Sequence, residues 1–230
     1  MTALPTNLQS AHATAARRAA QELARVDLAA RCARLALPAP NADGSLLLRV
    51  LSQDLVLTPS GFEAYLPSPP TASTADARPA MPARPLAHLV DRVLALHYLL
   101  CKRPVRPTGE LITFRDLPGG RFYHGPFTHR TTGPLVRRIG DVLELLRANL
   151  SRFDHRDVAG LPADLAVSIQ AIGCVAVTLL YHRGDDEAPP SAELLFDACI
   201  GHIYQTEDVA VLSSRLCTVL SAERYCDQSR

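Results

Sequence analysis

None of the six cysteines, at positions 32, 101, 174, 199, 217 and 226, lies in a C-x-x-C pair. That spacing puts thiolates side by side, so its absence argues against a zinc knuckle or an iron–sulfur cluster ligated within this chain. No apolar run approaches the ~18 residues that a membrane span requires, so no membrane association is expected. An excess of charge of one sign is missing too: 24 basic and 23 acidic residues leave a net charge of +1. Nucleic-acid binding needs a basic face and is not expected. Neither a G-K-[S/T] loop nor a Gly-x-Gly-x-x-Gly after a strand occurs, which removes both standard nucleotide-binding devices. No serine stands in a G-x-S-x-G elbow, and there is no His-Glu-x-x-His. The N-terminal Arg17-Arg18 pair follows alanines and precedes no apolar core, so a secretory signal is not expected. Cys101, Cys174 and Cys199 lie in apolar segments and read as small buried thiols, which suits a cytoplasmic location.

What the chain does have is enough apolar material, 47% of 230 residues, to bury a core of one or two domains. Helical spacing runs through residues 8–36, and "SLLLRVL" with "DLVLTP" reads as a hairpin turning at Ser52-Gln53. "GFEAYL" offers a third strand. Residues 67–85 hold six prolines and no periodic apolar face, which marks a loop or linker. "PLAHLVDRVLALHYLLCKR" predicts a helix from Pro85, with Leu86, Leu89, Val90, Val93, His97 and Leu100 on its buried face. A strand is expected over 109–117, a helix over 132–153 and an antiparallel pair on either side of Gly173. A further strand is expected over 192–203, then a helix capped by Thr206. Clustered strands without a repeating βαβ order predict an α+β fold, a mainly antiparallel sheet with helices packed on one side.

Chemistry-bearing residues concentrate around "LITFRDLPGGRFYHGPFTHR", residues 111–130. Pro118-Gly119-Gly120 is turn chemistry, read either as a hairpin or as a cradle for an anion. Arg115 is expected opposite the buried Phe114. His124 and His129 fall in the loop that follows, and Arg130 precedes the next helix. Asp197, inside the apolar "LLFDACI", needs a partner if buried, and Arg115 or Arg130 would supply one. His202 is the best single candidate for proton transfer, because histidine titrates near neutrality. The candidate ligand-binding set is Arg115, Asp116, Gly119, Gly120, Arg130, Asp197 and His202. A weaker metal set is Asp185, Asp186, Asp197 and His202, on the ground that clustered carboxylates hold hard cations.

Three stretches, "LALHYLL", "ITFRDLPGGRFYHGPFTHRTTGPLVRRIG" and "GDDEAPPSAELLFDACIGHIYQTEDVAVL", come in an order that resembles the bacterial and archaeal domain of unknown function 3786. The resemblance covers roughly residues 85–222. It implies a family without a settled activity, found largely in anaerobic microbes, whose members are sometimes joined to a small iron–sulfur domain. This chain has no cysteine cluster of that kind. It also carries Tyr181-His182-Arg183 where the family usually has a tryptophan, and Tyr204-Gln205 where Leu-Pro is common.

The expected organisation is an N-terminal helix and hairpin over 1–66 belonging to the same fold, a Pro-rich linker at 67–84, a core at 85–222 and a tail at 223–230. The expected function is non-catalytic binding of a small molecule near the FRDLPGG turn and His202. The alternative is a metal-dependent enzyme using the Asp/His set.

Overall fold

A computed structural model describes residues 6–67, 84–85 and 88–222. The expected linker, apart from Pro67 and Arg84, and the tail at 223–230 lie outside the described residues. The fold is α+β on antiparallel strands, and it divides into two compact units: residues 1–105 with 172–174, and residues 106–171 with 175–230.

In the first unit the expected single N-terminal helix is two, α1 (Thr6–Leu23) and α2 (Leu28–Arg34). Asp27 makes the break. Its carboxylate accepts the Ala30 N–H at 3.0 Å, a capping bond that starts a new helix. The hairpin is β1 (Leu46–Val50) and β2 (Gln53–Leu57), paired from Leu46↔Leu57 to Val50↔Gln53. Leu46, Leu48 and Val50 are buried while Leu47 is exposed, the period-2 alternation of a strand with one face on the core. β3 (Ala64–Leu66) and β4 (Arg84–Pro85) extend this antiparallel order. Pro85 therefore sits in a strand opposite Tyr65, and α3 (Leu89–Leu100) begins only after His88.

Nor does α3 have the expected single face. Val93, Leu94, Ala95, Leu96, Tyr98 and Leu99 are all buried, because α1 and β1 both pack on it. His97 is half-buried among them. The C-terminus of α3 is closed by Arg31, whose guanidinium donates to the carbonyls of Leu99 and Cys101 at 2.8 Å each. A cation there satisfies orphan carbonyls and complements the helix dipole. The buried Tyr98 hydroxyl accepts the Cys174 N–H at 3.0 Å and donates to its Sγ at 3.5 Å. Burial pushes the Tyr98 phenol up from its ordinary value. A Cβ on Gly173 would overlap the Tyr98 ring, so this turn admits only glycine. Cys174 is half-exposed rather than buried, because it lies in that turn and not in the strand that follows.

The second unit holds β5 (Leu111–Thr113), α4 (Gly120–Arg130), α5 (Thr132–Ile139), α6 (Leu143–Leu150), β6 (His155–Asp157), β7 (Leu165–Ile172), β8 (Val175–His182), β9 (Ser191–Asp197) and α7 (Thr206–Leu220). β7 and β8 are neighbours joined at Gly173-Cys174, as expected, and β9 pairs antiparallel with β8 on one side and β5 on the other. Val167, Ile169, Val177, Leu179 and Phe196 are fully buried, as are Leu135, Leu212 and Leu216 of the helices. α5 packs on β9 and α7 packs on α5. The helix expected over 132–153 breaks at Gly140, where φ is +55°; the Tyr181 hydroxyl donates to the Gly140 carbonyl at 2.7 Å. The two longest strand expectations also end early. The 109–117 strand is three residues long, followed by a 3-10 turn at Phe114–Asp116. The 192–203 strand stops at Asp197, followed by a 3-10 turn at Ala198–His202.

Candidate functional site

The stretch after β5 is built by three local devices. Asp116 reaches back, and its carboxylate accepts the Thr113 N–H and hydroxyl at 2.8 Å each. These bonds close the Phe114–Asp116 turn and hold the Asp116 carboxyl below its ordinary value. The buried Phe114 then stacks on Phe127, with ring centroids 3.9 Å apart and planes 8° apart. Finally, the two glycines do different work. Gly119 has φ +74°, a left-handed conformation that other residues resist. Gly120 opens α4, and a Cβ there would overlap the Phe114 carbonyl oxygen.

The Gly-Gly step is therefore a helix entry and not a hairpin. His124 and His129 stand on α4, not in a loop. Gly125 and Pro126 inside the stretch hid that helix, since both oppose helix formation in isolation. The Phe114–Phe127 stack and the packing of α4 on the 3-10 turn and α5 stabilise it instead.

An open cleft of about 790 Å³ results, lined by Thr113, Arg115, Asp116, Arg121, His124, Gly125 and Glu193. Beside it a smaller hollow of about 310 Å³ is lined by Arg115, Asp116, Leu117, Gly119, Arg121 and Phe122. Thr113 ends β5 opposite Leu195, and Glu193 lies on the same face of β9 two residues away. Arg121 and His124 are three residues apart on α4, a spacing that puts them on one helix face. Neither the Arg115 nor the Arg121 guanidinium makes a hydrogen bond or ion pair among the described residues. His124 is half-buried, and its Nδ1 is shielded from solvent without a hydrogen-bond partner. Its pKa is lowered, first by burial and then by Arg115, with Glu193 opposing.

Of the expected ligand-binding set, Arg115, Asp116 and Gly119 line these cavities, and Gly120 does not but packs against the Phe114 carbonyl. Arg130, Asp197 and His202 do not line them. Among the described residues Asp197 has no arginine partner. Its carboxylate accepts the N–H and hydroxyl of Thr108 at 3.0 and 2.9 Å, the Gly109 N–H at 2.7 Å and the Cys199 N–H at 2.9 Å. Partial burial pushes its pKa up, but these bonds outweigh that and hold it well below the usual carboxylate range. Asp197 thus ties the chain entering β5 to the end of β9. His202 is exposed, at the end of the 3-10 turn that follows Asp197.

The expected metal set does not converge either. Asp185 accepts the N–H groups of Glu187 and Ala188 at 2.9 and 2.7 Å, closing its own loop beyond β8. Asp197 is at the opposite end of the seven-residue β9, about 20 Å along the strand at ~3.3 Å per residue. Among the described residues no group of three His, Cys, Asp or Glu side chains is placed to hold a metal ion. The expected ligand-binding set lacked Thr113, Leu117, Arg121, Phe122, His124, Gly125 and Glu193. The i, i+3 spacing of Arg121 and His124 was the one available signal, and it has meaning only once residues 120–130 are known to be helical.

Comparison with known proteins agrees with this architecture at the level of family. The family described as "Domain of unknown function (DUF3786)" matches residues 27–219, and the chain belongs to it. The match takes in α2, the β1–β2 hairpin and α3, well before the start at residue 85 suggested by the motifs alone. No curated protein and no solved structure is significantly similar to the chain.

Proposed function

We propose that the protein is a non-catalytic binding module whose small-molecule ligand occupies the cleft between the β5–α4 turn and β9. The observation that carries this reading is the pair of arginines, Arg115 and Arg121, which line one cavity beside half-buried His124 and whose guanidiniums make no hydrogen bond or ion pair among the described residues. Two guanidiniums in one lining offer a ligand planar, paired N–H donors. Binding is favoured over catalysis because the lining offers no activated nucleophile. No serine or cysteine faces the cleft, and the Thr113 hydroxyl is donated to Asp116. Nothing in the lining favours the metal-dependent alternative.

Cys32, Cys101, Cys174, Cys199 and Cys217 are free thiols, which accords with a reducing cytoplasm. Among the described residues no helix is long and apolar enough to cross a membrane. The reading is tested by native mass spectrometry of protein purified without air, followed by amide NMR mapping of any co-purified small molecule. Shifts centred on Thr113, Gly125 and Glu193 are expected. A ligand that maps elsewhere, for instance to His202, would overturn it.

A further inference from the structure

The lining also specifies a class of ligand. We infer that Arg115 and Arg121 form an anion-recognition pair with Phe122 as a stacking platform, so that the ligand is a small aromatic molecule bearing a phosphate or carboxylate. This rests on the reading above that the cleft binds a small molecule.

Three observations converge. The large cleft and the smaller hollow share Arg115, Asp116 and Arg121, so one molecule spanning both meets both guanidiniums. Guanidinium groups recognise phosphate and carboxylate through paired N–H donors in a planar fork. Two carboxylates share the lining: Asp116 accepts from Thr113 and is within electrostatic reach of Arg121, and Glu193 acts on His124, so an anionic ligand shares Arg121 with Asp116 and meets Arg115 beside it. His124 adds a polar neighbour on the same helix face as Arg121, and burial lowers its pKa. Three amides at the start of α4 are already engaged. Those of Gly120, Phe122 and Tyr123 are donated to the carbonyls of Leu117 and Gly119.

The aromatic half of the inference comes from Phe122, which is 91% exposed and lines the smaller hollow beside both arginines. A phenylalanine left that open leaves its whole hydrophobic surface in water. A planar ring laid on it, with its anionic substituent between Arg115 and Arg121, covers that surface and needs no sequence motif beyond a π-face. Tyr123, also exposed, does not line either cavity and is not required.

The full chain, labelled with ¹⁵N, is titrated separately with phenyl phosphate, benzoate, inorganic phosphate, phenol and benzylamine. The backbone amides and the Arg Nε–Hε signals are followed by NMR. Phenyl phosphate or benzoate is expected to bind about tenfold more tightly than inorganic phosphate or phenol, a difference of one ordinary paired contact. The Nε–Hε signals of Arg115 and Arg121 should shift. Arg115→Gln and Arg121→Gln should each remove about tenfold of that affinity while leaving phenol binding unchanged. Phe122→Ala should bring phenyl phosphate down to the level of inorganic phosphate. All three positions are exposed, and the same spectra show whether each variant is folded. Benzylamine binding in the cleft while the anions do not would overturn the anion assignment and leave the cleft reading standing. Anion binding that ignores both arginine substitutions would overturn the recognition pair. No shift at the cleft with any of the five probes would overturn both readings together.

Discussion

The hydroxyl of Thr206, the first residue of α7, donates to the carbonyl of Pro118 at 2.8 Å. Two segments 88 residues apart in sequence are thereby tied together at the turn that shapes the cleft. Thr206 was expected to cap its own helix. Instead the entry to α7 is closed by Asp208, whose carboxylate accepts the Gln205 N–H at 3.3 Å. Thr206→Val keeps the shape and removes the donor, so it should lower stability by about 1 kcal/mol in urea unfolding. Thr206→Ser should restore it. If Val and Ser behave alike, the bond contributes nothing.

The glycine pair should respond unequally to alanine. Gly119 has open space around it but a left-handed backbone, so Gly119→Ala should cost about 1–2 kcal/mol. Gly120→Ala drives a Cβ into the Phe114 carbonyl, which sits on backbone and cannot swing away. A loss of about 3 kcal/mol or more is expected, with the cleft distorted as well. Equal costs measured by denaturant unfolding would show that the turn relaxes freely.

Asp197 carries a pH signature. Its folded pKa lies below the unfolded value of about 4, so its stabilisation is fully present above that pH and is lost as pH falls through the folded value. Asp197→Asn keeps one carbonyl oxygen and loses the charge. It should cost about 2 kcal/mol at neutral pH, and the gap from the unsubstituted protein should close in acid. Unfolding curves at pH 7 and below pH 3 check this, and a gap independent of pH would contradict it.

His124 gives a second, smaller one with the same sense. Its folded pKa is below the ordinary 6.5, so the unfolded chain binds a proton first and stability falls as pH drops below about 6.5. Titration of the ring followed by NMR should show the pKa rising in Arg115→Gln, which removes a like charge. In Glu193→Gln it should fall further. Opposite directions would mean that neither side chain faces the ring.

Much of the strand order near the hairpins was legible because it depends on short range. β1–β2 and β7–β8 each carry alternating or continuous apolar residues around a tight turn, and period-2 burial with a turn between determines the pairing. The family likewise follows from short motifs in a given order. α7 was legible for a similar reason, as an apolar stripe begun by acidic residues. α4 was not. Its composition opposes a helix, and Phe114, six residues before it in the chain, supplies the surface that makes it one.

The candidate site divides along the same line. By itself the sequence determined that Arg115, Asp116 and a Gly-Gly step stand together, since neighbours in the chain cannot be far apart. Only the tertiary structure decided the rest. Asp197 was assigned an arginine, because burial demanded a partner and charge suggested which; backbone N–H groups from residues 108 and 109 met the demand first. Glu193 joined Arg115 and His124 through the register of β9 on β5, where Leu195 meets Thr113. Local sequence carries propensity, turn chemistry and periodicity, all of which act within a few residues. Which strand lies beside which, and in what register, is settled by burial of the whole apolar surface at once, and no short segment holds that information.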